Sequence, residues 1–101
     1  MSDIFRNPVG TTPLFTLGQI VATPGALDVL QKACCPFQAL LKRHVTGDWG
    51  DVCPDDATLN DLAVLEEGRL LSSYTLSSDV TVWVITEWDR SATTVLLPSE
   101  Y

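Results

Sequence analysis

Residues Arg69–Leu97, RLLSSYTLSSDVTVWVITEWDRSATTVLL, decide the fold. Leu70, Ser72 and Tyr74 share one face of an extended chain and Leu71, Ser73 and Thr75 the other, because successive side chains of a strand point to opposite sides. Val80, Val82 and Val84 alternate in the same way against Thr81, Trp83 and Ile85, and a third run, Thr93 to Leu97, is ended by Pro98. Ser77-Ser78-Asp79 and Trp88-Asp89-Arg90-Ser91 are the short polar breaks between these runs. Two tight connections between three consecutive strands predict an antiparallel meander.

Upstream of Arg69 the period is helical. A helix is expected over about Asp55–Glu67, opened by Pro54, Asp55 and Asp56, whose carboxylates complement the helix dipole, and closed by Gly68. Its inner face is expected to carry Leu59, Leu62, Ala63 and Leu65 or Glu66. Before it, Phe37, Leu40, Leu41, His44 and Val45 mark a second amphipathic helix. That helix ends in Thr46-Gly47-Asp48-Trp49-Gly50-Asp51, where Gly47 suits the left-handed position after a helix C-terminus. Thr23-Pro24 signals the start of a first helix, with Ala26, Leu27, Leu30, Ala33 and Cys34 on one face and Pro36 as its stop. Leu14 to Ala22 reads as a strand in which Gly18 marks a bulge or a close approach.

The expected order is β-α-α-α-β-β-β. This is an α+β fold with three helices on one face of a small antiparallel sheet, since neither layer buries its apolar side alone. One domain is expected over residues 14–101, preceded by a flexible leader, Met1–Pro13, that carries Asn7, Pro8, Gly10 and Pro13 and lacks the basic and apolar regions of a secretory signal.

The chain has 101 residues, 46% apolar and 19% charged, a globular composition of single-domain size. No apolar run is long enough to cross a membrane. Thirteen acidic residues against six basic ones leave a formal charge of −7. Such a balance argues against direct nucleic-acid binding by phosphate neutralisation and favours a basic protein surface as partner. The cysteines, Cys34, Cys35 and Cys53, are odd in number, and adjacent ones are poorly placed to bridge. Free thiols in a reducing cytoplasm are expected, and with His44 as the lone histidine neither a zinc site nor any cofactor is expected.

Several clusters could carry chemistry. His44 with Asp48, and Glu87 or Asp89, could supply acid–base groups for a small enzyme or a nucleic-acid processing subunit, provided they converge in one pocket. His44 nevertheless falls on the apolar stripe of its helix, where packing or capping is the simpler role. Cys35, next to Pro36, is the one thiol near a helix start, where a thiolate is stabilised. The clearest composition shift lies between His44 and Gly68, where Asp48, Asp51, Asp55, Asp56, Asp61, Glu66 and Glu67 occur without a lysine or arginine. The helix start accounts for Asp55 and Asp56. Asp48 and Asp51 flank a tryptophan expected to be exposed, and their D-x-x-D spacing lacks the ligand alternation of a calcium loop. Trp49 and Trp88 lie in expected loops and suit equally a binding surface or a plug for the core. The reading is a non-enzymatic binding protein whose partner contacts are Asp48, Trp49, Asp51, Asp55 and Asp56, adjoined by Trp88, Asp89 and Arg90. A third reading is self-association, to a homodimer, through an exposed Trp83 face or a sheet edge.

The stretches LLKRHVTGDWGDV, Asn60, GRLLSSYTL and VWVITEWDRSATTVLLPSEY together resemble a group of short plasmid-related proteins carried on bacterial mobile elements. The resemblance spans about Leu14 to Tyr101 and rests on H-x-x-G-D-W-G and W-x-I-T-E-x-D-R-S-x-T-x-x-L-L-P-x-E-Y. The cysteines and the leader lie outside the pattern. It implies a setting inside a bacterial cell and no particular activity or catalytic residue. By analogy with that setting and charge, an inhibitor that occupies the nucleic-acid groove of a restriction or CRISPR-type nuclease is the expected role.

Overall fold

A computed structural model describes residues 12–77 and 79–101. All but two residues of the expected leader, and Ser78 of the first hairpin turn, lie outside these. The element order is β1 (Gln19–Ala22), α1 (Pro24–Lys32), α2 (Phe37–Val45), α3 (Pro54–Glu66), β2 (Leu70–Thr75), β3 (Thr81–Thr86) and β4 (Ala92–Leu96), closed by a 3-10 turn, Pro98–Glu100. The α+β class and the order of elements follow the sequence pattern.

The four strands form one sheet in the order β1-β4-β3-β2. β2 pairs antiparallel with β3, Ser73 opposite Trp83, and β3 antiparallel with β4, Val84 opposite Val95. The expectation of a fully antiparallel sheet is corrected by β1, which runs parallel to β4 with Ile20 beside Thr93. The helices carry the chain across the sheet, α1 over β4, α2 over β3 and α3 over β2. The meander then returns it to β1 in the starting direction.

Leu14–Gly18, read as the beginning of β1, is irregular. Gly18 takes φ +66°, and a Cβ there would stand 2.3 Å from the Arg90 carbonyl oxygen, so glycine lets the chain turn tightly against the β3–β4 connection. Phe15 thereby faces inward rather than alternating.

Ala26 and Leu30 of α1 and Leu40 and Leu41 of α2 pack on Tyr74, Leu76, Val82, Val84 and Val95 to form the main core. Thr23 caps α1 by accepting from the Ala26 N–H. A second, smaller core joins Trp49, Ala63 and Leu70 with Phe15, Val52, Ala57 and Val64. On the far face of the sheet Trp83 meets Tyr101 edge-on at 5.8 Å. All three cysteines are free thiols.

The rotation of α3 differs from the sequence expectation. Ala57, Asn60, Ala63 and Val64 face inward, whereas Leu59, Leu62 and Leu65 are exposed. Asn60 sets this rotation: its amide donates to the Leu71 carbonyl at 2.8 Å and accepts from the Leu71 N–H at 3.2 Å. A side chain that satisfies both groups of one edge residue holds α3 against the rim of β2, where small residues fit and leucines do not.

Candidate functional site

The acidic section divides into a part that builds the fold and a part that faces solvent. Asp48 belongs to the first. Its carboxylate takes a hydrogen bond from Arg43 Nε at 2.7 Å and a second from the Gly50 N–H at 3.2 Å. The Arg43 hydrogen bond holds the Asp48 carboxyl below its usual pKa. Arg43 also lies 4.5 Å over the Tyr74 ring, and the Tyr74 hydroxyl donates to the Asp48 carbonyl at 2.6 Å.

The following residues run along β2 as a short extra rung. Ser73 N–H donates to the Trp49 carbonyl, Asp51 N–H donates to the Ser73 carbonyl, and the Asp51 carboxylate accepts from the Thr75 N–H at 3.1 Å. Gly50 is required here: at φ +74°, its Cβ would stand 2.1 Å from the Ser73 carbonyl oxygen. With Asn60 at Leu71, the outer edge of β2 is thereby closed, the usual protection of an edge strand against foreign pairing.

Trp49, expected to be exposed, is buried, with 6% of its surface accessible. Its indole stacks on Phe15 at 6.3 Å, meets His44 edge-on at 5.8 Å and donates to Asp61 Oδ1 at 3.0 Å. An indole is driven inward by its area, provided its N–H finds an acceptor, and Asp61 is that acceptor. Asp48 and Asp51 thus have structural duties that spacing alone did not reveal. Reversing their charges would disturb the loop itself.

His44 is fully buried. Nε2 lies 2.9 Å from Thr86 Oγ1, which lies 2.8 Å from Thr93 Oγ1, whose hydroxyl donates to the Leu17 carbonyl at 2.7 Å. The carbonyl can only accept, so the chain of donors has one direction: His44 Nε2–H to Thr86, Thr86 to Thr93, Thr93 to Leu17. Nδ1 is then the acceptor for the Ser72 hydroxyl at 2.6 Å. This assigns the tautomer from the network. Desolvation, with the positive Arg90 as a lesser cause, lowers the His44 pKa to about 4. His44 and Asp48 are engaged with separate partners, so the acid–base constellation drawn from the sequence does not assemble around them. The helical stripe correctly placed His44 in the core.

Arg90, at φ +61°, turns its guanidinium inward over Phe15. Nη2 donates to the Ala63 carbonyl at 2.9 Å, and Nη1 to the Gly68 carbonyl at 2.6 Å and the Trp88 carbonyl at 3.2 Å. It adds a donor to the Ala63 carbonyl, which already accepts from the Glu67 and Gly68 N–H groups, and so ties the β3–β4 turn to the C-terminal end of α3. The left-handed residue ending α3 is Glu67, not Gly68. Asp89 stays at the surface, where hydrogen bonding to the Ser91 side chain and, secondarily, to the Ser91 N–H at 3.0 Å lowers its carboxyl pKa.

What remains facing solvent is α3 and the turn tied to it. Asp55 and Asp56 are exposed, and among the described residues neither forms a side-chain hydrogen bond or ion pair. Leu59, Leu62 and Leu65 are 62, 46 and 80% exposed, and Trp88 is 64% exposed. A half-open cleft of about 230 Å³ flanks the helix, lined by Asp56, Leu59, Asn60, Arg69 and Leu71. The leucines were read as core. The available signal was that apolar residues Ala57, Leu59, Leu62, Ala63, Val64 and Leu65 go round the helix instead of keeping to one side, so some had to face out.

Among the described residues no three His, Cys, Asp or Glu side chains group to hold a metal ion, and no helix is long and apolar enough to cross a membrane. Comparison with protein-family models, with curated proteins and with solved structures finds no match to the chain.

Proposed function

We propose that this chain is a non-enzymatic accessory protein of a bacterial mobile element that binds a partner protein through the outward face of α3. In this reading it inhibits a host defence nuclease of the restriction or CRISPR type by occupying a basic groove. The observation that carries the reading is a solvent-facing helix with three exposed leucines and free carboxylates at Asp55 and Asp56. Burying those leucines against a partner supplies the affinity, and the carboxylates with Asp89 steer approach to a basic rim. Trp88 extends the apolar area beyond the end of the helix. Asp48, Asp51, Trp49 and Arg90 hold this surface in shape instead of touching the partner.

The test measures transformation of an unmodified plasmid into hosts with active restriction or CRISPR nucleases. Expression of the protein is expected to raise transformation efficiency against at least one nuclease. The variants Asp55→Lys/Asp56→Lys and Leu62→Ser/Leu65→Ser should each return it to the vector level while remaining folded. The second should unfold in urea as the parent does, and the first should lose about 1–2 kcal/mol because its carboxylates complement the helix dipole. Protection that survives both variants would remove α3 from the interface, and no protection in any such host would remove the anti-defence role.

A further inference from the structure

We propose that two copies of this chain pair antiparallel through the free edge of β1, joining their sheets into one continuous sheet. The two edges of the sheet are built differently. At β2, Asn60, the Trp49–Asp51 rung and the Asp51 carboxylate occupy the outward main-chain groups of Leu71 and Ser73 and the N–H of Thr75. At β1 there is no such cover among the described residues. The Gln19 N–H donates to the Ser91 carbonyl and the Thr23 N–H to the Val95 carbonyl, so with the parallel register alternate residues Gln19, Val21 and Thr23 face β4. The N–H and C=O groups of Ile20 and Ala22 therefore point outward, a template for another strand. Ile20 and Val21 are 45 and 43% exposed.

Charge selects a second copy as the occupant. The chain carries −7 overall, yet Thr12 to Leu27 contains no charged residue. Two such copies repel each other wherever their acidic surfaces meet, and the β1 edge, where the Glu100 carboxylate stands beside Thr23 at the end of the strand, lets them approach with a smaller penalty. The strand is also self-complementary. About a two-fold axis through Val21, Ile20 pairs with the partner's Ala22 and Ala22 with the partner's Ile20, closing about four N–H···O bonds, and the two Val21 side chains face each other. An edge this short makes a weak, concentration-dependent dimer rather than an obligate one. Because α3 packs on β2, at the opposite end of the sheet, the dimer carries its two α3 faces at its two ends, free and outward.

Sedimentation equilibrium of the full chain over a concentration series up to about 1 mM tests this, with oxidative cross-linking as the second measurement. The apparent mass is expected to rise from 11.0 kDa towards twice that value. Ile20→Pro removes an outward N–H without touching the β1–β4 ladder and should weaken association about tenfold or more. Val21→Lys, which sets two ammonium groups against each other on the axis, should do the same, and both variants should melt as the parent does. In a background of Cys34→Ser, Cys35→Ser and Cys53→Ser, Val21→Cys should oxidise to a covalent dimer, while Thr75→Cys, on the closed edge, should not. A protein monomeric at every concentration overturns the proposal. So does a dimer that ignores Ile20→Pro and Val21→Lys but dissociates on Leu62→Ser/Leu65→Ser, which would place self-association on α3. Neither result bears on plasmid protection, so this proposal and the proposed function can fail separately.

Discussion

Lowering the pH from 7 to 4 would force a proton onto a ring that the fold holds neutral. His44 has no exposed surface and both ring nitrogens are engaged, Nδ1 as an acceptor and Nε2 as a donor into the Thr86–Thr93–Leu17 chain. In the unfolded chain it titrates near its ordinary value of 6.5; in the fold its pKa is about 4, because burial disfavours the imidazolium and Arg90 repels it. Between these two values the unfolded state binds the proton and the folded state does not, so stability rises with pH across that window. The contribution is fully present above pH 6.5, declines as pH falls towards 4 and loses nothing further below it. At 1.36 kcal/mol per pKa unit the loss amounts to about 3 kcal/mol, a large part of the 5–15 kcal/mol typical of a domain. Urea unfolding of the parent and of His44→Gln at half-unit steps from pH 7 to pH 4 measures it. The variant lacks the titration, so its deficit relative to the parent should shrink by about 3 kcal/mol over the window. A deficit that stays constant from pH 7 to pH 4, or a folded-state imidazole titration observed by NMR near pH 6.5, would refute the reasoning.

Asn60→Ala leaves both main-chain groups of Leu71 without their partner and should cost about 2 kcal/mol in urea unfolding, with faster aggregation because the β2 edge is opened. Gly50→Ala must adopt a positive φ and meet the Ser73 carbonyl; a loss of at least about 2 kcal/mol is expected, together with exposure of Trp49 seen as a red-shifted emission. Arg90→Met keeps much of the side chain's bulk but abandons the carbonyls of Ala63 and Gly68, and should cost about 2 kcal/mol, with amide exchange accelerated first in the last turn of α3. Trp88→Ala touches no core residue and should leave stability within about 0.5 kcal/mol, separating the exposed tryptophan from the buried one.

The meander was legible because its signal is local. Val82 and Val84 face the helices and Trp83 the other side, as the alternation requires, and the break at Trp88–Ser91 lies between strands as a turn and bend. The helix boundaries followed from Thr23, Pro24, Pro36 and Pro54 for the same reason. What stayed hidden depends on partners distant in sequence. Nothing within Gln19–Ala22 says that its neighbour will be β4 or that they will run parallel. Asn60 looked like an ordinary polar residue, yet its two hydrogen bonds to Leu71 rotate α3 and turn three leucines to solvent. Asp48, Trp49 and Asp51 looked like a charged loop around an aromatic anchor, because composition cannot distinguish a carboxylate that binds Arg43 or a Thr75 N–H from one awaiting a partner. The residues singled out from the sequence therefore divide by exposure in a way that composition does not show. Asp55, Asp56, Trp88 and Asp89 face solvent, Trp49 and Arg90 are structural, and Leu59, Leu62 and Leu65, expected on the inner face of the helix, are exposed.

The placement of β1 beside β4 has a consequence in time as well as in space. The hydrogen bond from Thr93 to Leu17 spans 76 residues, whereas β2, β3 and β4 pair with neighbours a few residues away. Closing the longest loop gives no return until the meander exists to receive the strand, so β1 should dock last. Mutations at Leu17 or Ala22, which pack against the main core, should accordingly speed unfolding and leave the folding rate nearly unchanged, and those at Val82 or Val84 should slow folding. During synthesis the strand made first waits longest for its partner, and its lack of charge leaves that waiting segment with little to hold other chains away.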